Sequence, residues 1–262
     1  MVPTSTPTPD SNSLAIEVLP NRQALGQAAA AAAAARLKAL AEQHDSLAVI
    51  FATGESQLAT LRALTAAPGV PWNRITGFHM DEYLGISEDH PASFRHYLRE
   101  NLVRHVPFRS FHFIEGSEEV AEKTCAEYAA LLQAHRPLLC LLGIGENGHL
   151  AFNDPAEADF HDPVDAKVVR LDAVCRRQQV NEGWFASLDE VPSRAITLTI
   201  PALMRVPELI LSVPGERKAG IVSRTLTEAE STACPATILR RHPRATLYLD
   251  ADSAAKLAPG PK

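Results

Sequence analysis

Leu138-Leu139-Cys140-Leu141-Leu142-Gly143-Ile144-Gly145-Glu146-Asn147-Gly148-His149-Leu150-Ala151-Phe152-Asn153-Asp154-Pro155 joins an uninterrupted apolar run to a glycine-rich loop that carries a histidine and a carboxylate. Consecutive apolar residues with no polar face read as a strand buried on both sides in a parallel sheet, and Gly143, Gly145 and Gly148 then break it. His149 therefore stands just beyond the carboxyl end of a strand. In open α/β sheets the loops at that edge diverge where the strand order switches, and the crevice between them takes ligands. A histidine there is a candidate for proton transfer; the alternative is a tight turn with a half-buried structural histidine.

Two further segments share this design. Ile75-Thr76-Gly77-Phe78-His79-Met80 is a short, mostly apolar stretch that ends in Asp81 and Glu82 before the turn at Tyr83-Leu84-Gly85-Ile86. Neighbouring side chains of an extended backbone point to opposite faces, so at most one carboxylate faces the crevice while the other bonds backbone or a nearby loop. A solvated acidic turn is the alternative. Nearer the N-terminus, Leu47 to Ala52 reads as a strand, Thr53-Gly54-Glu55-Ser56-Gln57 as a small polar loop, and Leu58 to Leu64 as a helix. Loop amides, the positive end of the helix and the hydroxyls of Thr53 and Ser56 make a candidate anion site, against which stands a plain helix cap. The loop has neither the Gly-Lys-Ser/Thr ending of a P-loop nor the six-residue dinucleotide fingerprint.

Outward from these segments, strands are expected at Ile196–Ile200, Leu209–Val213 and Thr246–Leu249, and helices at about Gln23–Glu42, Val120–Ala134 and Lys218–Leu226. The alanine tract Ala28–Ala35 lies in the first helix, where it supplies helix propensity and packing rather than recognition. Alternating strands and helices predict the α/β class: a doubly wound, Rossmann-like, mostly parallel sheet with helices on both faces. One domain is expected over residues 14–250, after a Pro/Ser/Thr-rich leader, Met1–Ser13, read as disordered and before a frayed tail, Ala251–Lys262. Ala156–Asp165, rich in acids and prolines and holding His161, reads as a mobile lid near the site or as a surface loop.

The 262 residues, 46% of them hydrophobic, suffice for one sizeable core. A net charge of -6 with no basic run argues against a nucleic-acid partner. There is no apolar run long enough to span a bilayer and no basic-then-apolar leader, so no membrane association and a cytoplasmic location are expected. Cys125, Cys140, Cys175 and Cys234 are widely spaced and form no Cys-x-x-Cys, which reads as reduced thiols, with Cys140 a core filler. His79, His149, His161 and Asp154 include no His-x-x-x-His pair, so no metal is expected, and no nucleophile sits on a hydrolase elbow.

Taken together, Phe78-His79-Met80-Asp81-Glu82-Tyr83-Leu84-Gly85, Asp89-His90-Pro91-Ala92-Ser93-Phe94 and Gly145 to Pro155 resemble the glucosamine-6-phosphate deaminase family, relatives of the 6-phosphogluconolactonases. The likeness runs from about residue 15 to about residue 250 and includes Val213-Pro214-Gly215-Glu216-Arg217-Lys218-Ala219 and Ala233-Cys234-Pro235-Ala236-Thr237-Ile238-Leu239 to His242-Pro243. The resemblance implies aldose-ketose isomerisation coupled to deamination: glucosamine 6-phosphate and water give fructose 6-phosphate and ammonia, with no metal or redox cofactor. It also implies a hydrolase by class, a place in amino sugar metabolism such as N-acetylglucosamine catabolism, a small amino sugar phosphate as partner, and a homo-oligomer, as is frequent in the family. By the same resemblance Asp81 takes the C2 proton, which requires an ionised carboxylate within hydrogen-bond reach. His149 shuttles the proton that opens the ring, and Asn147 and Asp154 support it. Thr53, Gly54, Ser56 and Lys218 would hold the phosphate, with Glu82, Gly145, Arg176 and Arg177 as further substrate-binding candidates.

The chain departs from the family pattern at identifiable places. Asp154 stands where the best-known members have glutamate, and Asn147 where some have aspartate. Glu55 replaces a glycine, and an acid there must point outward, because facing a dianion is costly at low effective dielectric. The family's second phosphate contact, an arginine, has no match in Leu171–Phe185, leaving Arg176 or Arg177 to substitute from a turn away. Two other readings stand beside the deaminase. One is a lactone hydrolase, whose usual Asp-Glu-Arg and Gly-Asp-Gly-His-Thr-Ala patterns differ from those here; the other is a sugar-phosphate sensor that has lost turnover.

Overall fold

A computed structural model describes residues 14–257. The leader Met1–Ser13 and residues 258–262 of the tail lie outside the described residues. In chain order the elements are β1 (Ala15–Leu19), α1 (Arg22–Ala41), β2 (Leu47–Phe51), α2 (Leu58–Thr65), β3 (Ile75–His79), β4 (Asp81–Tyr83), α3 (Phe94–Asn101) and β5 (Ser110–His112). There follow α4 (Ala121–His135), β6 (Leu139–Leu142), β7 (Ala166–Arg170), α5 (Ala173–Asn181), β8 (Arg194–Leu198), α6 (Ile200–Met204), β9 (Leu209–Val213), α7 (Ala219–Thr227) and β10 (Ala245–Asp250).

Every residue of β2, β3, β6 and β9 is buried, as central strands covered by helices on both faces require. The period of two then sorts them between two cores. Ala48, Ile50, Cys140, Leu142, Leu209 and Leu211 pack with α4 and α7 on one face, while Leu47, Val49, Phe51, Leu139, Leu141 and Ile210 pack with α1 and α2 on the other. The alanine tract explains itself here. Ala29, Ala30, Ala33 and Ala34 are buried, and small side chains let α1 lie close to its neighbours.

Seven strands form one parallel sheet in the order β1-β10-β9-β6-β2-β3-β5. From β2 the chain winds outward through β3 and β5, then returns to β6 on the other side of β2 and continues to β9 and β10. The order therefore reverses between β2 and β6, which makes that junction the switch point at which a crevice opens. The doubly wound α/β fold is thus observed.

One strand is not where the apolar pattern suggests. The segment expected as a sheet strand at Ile196–Ile200 forms β8 up to Leu198 and then turns into α6, and β8 belongs to a second, antiparallel sheet in the order β4-β8-β7. Thr199 caps α6 through its side chain and Pro201 suits the first helical turn, which ends the strand. This small sheet covers a third cluster of Tyr83, Phe94, Phe152, Val169 and Phe185. Ala156–Asp165, expected as a lid or as a surface loop, is the connection into β7 and contributes no residue to the switch-point cleft, as the second reading has it. Its end is held by Asp165, buried and bonded to Gln133 at 3.0 Å and to Arg205. The tail is ordered through Leu257, with Ser253 buried and its amide bonded to Asp250 at 2.8 Å, rather than frayed from Ala251.

Candidate active site

The loops after β2 and β6, together with the β3–β4 junction, line an open cleft. Thr53, Gly54, Glu55 and Ser56 line it from the first, Gly143, Ile144, Gly145, His149, Ala151 and Phe152 from the second, and Met80 and Asp81 from the third. Asp81 and His149, 68 residues apart in sequence, face one cavity because β3 and β6 flank β2 on either side.

Antiparallel pairing positions Asp81. It sits opposite Thr197 of β8, the amide of Leu198 donates to the Met80 carbonyl at 2.7 Å, and Thr197 Oγ1 accepts from the Phe152 amide at 3.0 Å. One strand thus ties the Asp81 backbone to the loop that carries His149. Asp81 is buried, and its Oδ1 has no hydrogen-bond partner among the described residues. Burial, with the neighbouring Glu82 charge second, holds its carboxyl well above the usual carboxylate range. Asp81 is thus a desolvated carboxyl and a correspondingly stronger base once ionised.

Glu82, expected as a further substrate contact, points the other way. It is fully buried and accepts from Ser93 Oγ at 2.8 Å, from the Arg95 amide and Nε at 2.9 and 3.0 Å, and from the Tyr83 and Phe94 amides. Its oxygens are fully engaged in anchoring the start of α3. His79 is also structural: its Nε2 accepts from the Ile114 amide at 2.7 Å, and burial, followed by Arg95, lowers its pKa to about 3.

The histidine loop is self-bonded. The imidazole Nδ1 lies 2.9 Å from Asp154 Oδ1, and Asn147 accepts from the His149 amide at 3.0 Å while donating to Asp154 and Asp172 at 2.9 Å each. Asp172, the N-cap of α5, donates its amide to Asp154 Oδ2 at 2.9 Å. Burial pushes the Asp154 pKa up, but hydrogen bonds from His149, Asn147 and the Asp172 amide outweigh it and hold Asp154 below its ordinary value. An ionised carboxylate only accepts, so Nδ1 carries the hydrogen and Nε2 is left for a ligand. Gly145 makes room for this ring: a Cβ there would lie 2.1 Å from His149 Nε2. Ala151 holds φ at +51, a left-handed conformation costly without glycine, in the turn that delivers Phe152 to the cleft.

At the other end Lys218 lines the cleft and is the one lysine or arginine that does so among the described residues. Its ammonium makes no hydrogen bond there, and burial lowers its pKa, partly offset by Glu182 and Glu146. Gly54 adopts φ of +92, which turns the loop, and its carbonyl accepts from Tyr97 Oη at 2.8 Å. Glu55 is exposed and paired with Arg22. Arg176 and Arg177, expected as substitute phosphate contacts, are not in the cleft: Arg176 donates to the carbonyls of Leu188 and Val191, and Arg177 is exposed. The helical turn of α5 instead presents Gln178 and Gln179, with Glu182 just past its end. Sequence reading passed over these three, and over Asp172, whose Leu-Asp-Ala-Val context was a readable N-cap signal. His149, Asp154 and Cys175 offer ligand atoms within 4.8 Å of one another and are the residues able to hold a metal among those described.

Residues 20–248 match the family described as glucosamine-6-phosphate isomerases/6-phosphogluconolactonase. This chain belongs to that family. A glucosamine-6-phosphate deaminase from Exiguobacterium sp. is 35% identical over 71% of this chain and 71% of its own length. One from Bacillus thuringiensis is 34% identical over 78% and 75%. Among solved structures, a monomeric glucosamine-6-phosphate deaminase has a TM-score of 0.85 at 27% identity, covering 93% of this chain and 100% of its own. The 6-phosphogluconolactonase of Trypanosoma brucei has a TM-score of 0.76 at 19% identity, covering 94% and 99%, a likeness of fold alone. The expected class of hydrolase is overturned by these names, which support a deaminase with isomerase-like chemistry on amino sugars.

Proposed function

We propose that this chain is a glucosamine-6-phosphate deaminase that converts glucosamine 6-phosphate and water to fructose 6-phosphate and ammonia. The observation that carries the reading is one cleft lined by Asp81 and His149 together with a buried lysine and the Thr53–Ser56 loop. Relatives of that name at about a third identity support it over the lactonase, whose solved members resemble the chain in fold alone.

In this reading Lys218, Thr53, Ser56 and the Gly54 amide hold the phosphate. His149 Nε2 exchanges the proton that opens the ring, with Asp154, Asn147 and Asp172 fixing its tautomer. Asp81 removes the C2 proton and returns one at C1; the imine left at C2 adds water and releases ammonia. A desolvated carboxylate suits that step, because its raised pKa brings it closer to the carbon acid it must deprotonate. These steps are proton transfers and water addition, so the proposal includes no metal or redox cofactor. Four free, buried cysteines fit a reducing compartment, and a cytoplasmic setting is part of the proposal. No helix of the described residues is long and apolar enough to cross a membrane. A homo-oligomer is proposed through β1, an edge strand with Ile16 and Val18 exposed; light scattering that returns the mass of one chain would remove it.

The decisive assay is ammonia release from glucosamine 6-phosphate by the purified protein, without added metal. Asp81→Asn is expected to lower kcat by about 10²–10⁴-fold, and Lys218→Ala to raise KM with a smaller effect on kcat. Hydrolysis of 6-phosphogluconolactone without ammonia release would replace the reading.

A further inference from the structure

The wall of the cleft formed by α5 holds one polar side chain without an assignment. Cys175, Gln179 and Glu182 recur at intervals of four and three, so they share the inner face of the helix, and α5 runs from the Asp154–Asp172 network toward Lys218. Most polar groups near its far end are already satisfied. Gln178 donates to Glu182 Oε1 at 2.7 Å and accepts from the Glu146 amide at 3.1 Å, and Glu182 Oε2 accepts from Trp184 Nε1 at 3.2 Å. Gln179 differs. It is only 6% exposed, it lines the cleft, and its carboxamide makes no hydrogen bond among the described residues. Its backbone is fixed, since the Trp184 amide donates to the Gln179 carbonyl at 3.0 Å and the Trp184 ring packs 5.9 Å from that of Tyr97, which in turn bonds Gly54 of the anion loop.

We infer that Gln179 is a specificity-determining residue whose carboxamide donates to a phosphate oxygen of the substrate, opposite Lys218. The inference deepens the deaminase reading and rests on it for the identity of the substrate. The carboxamide itself opens onto the cleft, where a ligand oxygen takes the place of water as its hydrogen-bond partner. A neutral donor also suits this wall. Lys218 is the one lysine or arginine there, and Glu182 and Glu146 already act on it, so a second cation would be drawn to those carboxylates instead of the ligand. The anion is therefore held by one charge and by neutral donors: Gln179, Thr53, Ser56 and the loop amides.

The test compares wild type with Gln179→Ala and the isosteric Gln179→Glu, which keeps the packing and removes the donor. Calorimetric binding of inorganic phosphate should weaken about 3- to 10-fold in the first and more in the second. KM for glucosamine 6-phosphate should rise by a similar factor with kcat within about twofold, while KM for unphosphorylated glucosamine stays unchanged. Unaltered phosphate binding in Gln179→Ala overturns the inference, and so does an equal rise in KM for both sugars, which would assign the amide to the sugar ring. If no amino sugar is deaminated yet phosphate binding weakens in both variants, the deaminase reading fails and the Gln179 contact stands.

Discussion

Two residues of the cleft are placed at a cost that the chemistry turns to use. Gly145 lies beneath the imidazole so closely that any side chain would occupy the position of the ring. Gly145→Ala is therefore expected to displace His149 and reduce kcat by about 10²-fold, the scale of an ångström's misplacement, with KM less affected; steady-state kinetics check it. Asp81 carries the complementary cost, a buried carboxylate with an oxygen left unpartnered. An acid whose folded pKa is raised contributes stability fully below its unfolded pKa and loses it as pH rises through the folded pKa. Asp81→Asn should thus stabilise the fold by about 1–3 kcal/mol at pH 8, with the gain shrinking as pH falls and the native carboxyl protonates. Urea unfolding of the inactive variant across pH measures it, and a destabilised variant would contradict the burial argument.

Among the elements, the short β4 divides labour between neighbours. Extended backbone sends Asp81 toward the cleft and Glu82 into the core, where it closes the start of α3 and pairs with Arg95, whose side chain is 5% exposed. Removing one partner of such a pair leaves a buried charge uncompensated, so Glu82→Ala should cost about 3–5 kcal/mol in thermal or denaturant unfolding. Glu82→Gln has a second expected effect. The Glu82 charge is the lesser of the two causes that raise the Asp81 pKa, so its loss should move the acid limb of kcat/KM to lower pH. Helix α5 works similarly, with its N-cap Asp172 joined to the histidine network and Gln179 toward its end facing the cleft.

At the scale of the whole molecule, the fold buries both ends of the cleft and so draws both titrations toward neutrality. Asp81 must be ionised to act, and its raised pKa sets the acid limb of kcat/KM above the ordinary carboxylate range. Lys218 must be charged to hold phosphate, and its lowered pKa brings the alkaline rise in KM below the ordinary lysine range. A bell-shaped kcat/KM profile narrower than an exposed carboxylate and lysine would give is the expected result. Lys218→Arg should extend the alkaline limb, since a guanidinium stays protonated. A limb near pH 4 in wild type would show that Asp81 is hydrated when active.

What could be read along the chain was whatever has a local cause. Apolar runs such as Leu47–Phe51 and Leu139–Leu142 announced buried parallel strands, and glycines and hydroxyls after them announced the loops that line the cleft. Ordered motifs from Phe78 to Pro155 were specific enough to indicate the family. The direction of a side chain is different, because it depends on neighbours distant in sequence. Arg176 and Arg177 lie in the expected stretch, yet the 3.6-residue turn of α5 points them away from the cleft, Arg176 to the carbonyls of Leu188 and Val191 and Arg177 to solvent, and leaves Gln179 facing the cleft. The membership of β8 in a second sheet, and the raised pKa of Asp81, likewise follow from tertiary packing alone. Strand identity is a property of a few consecutive residues, whereas pairing partner, facing direction and desolvation are set by what the folded chain brings alongside them.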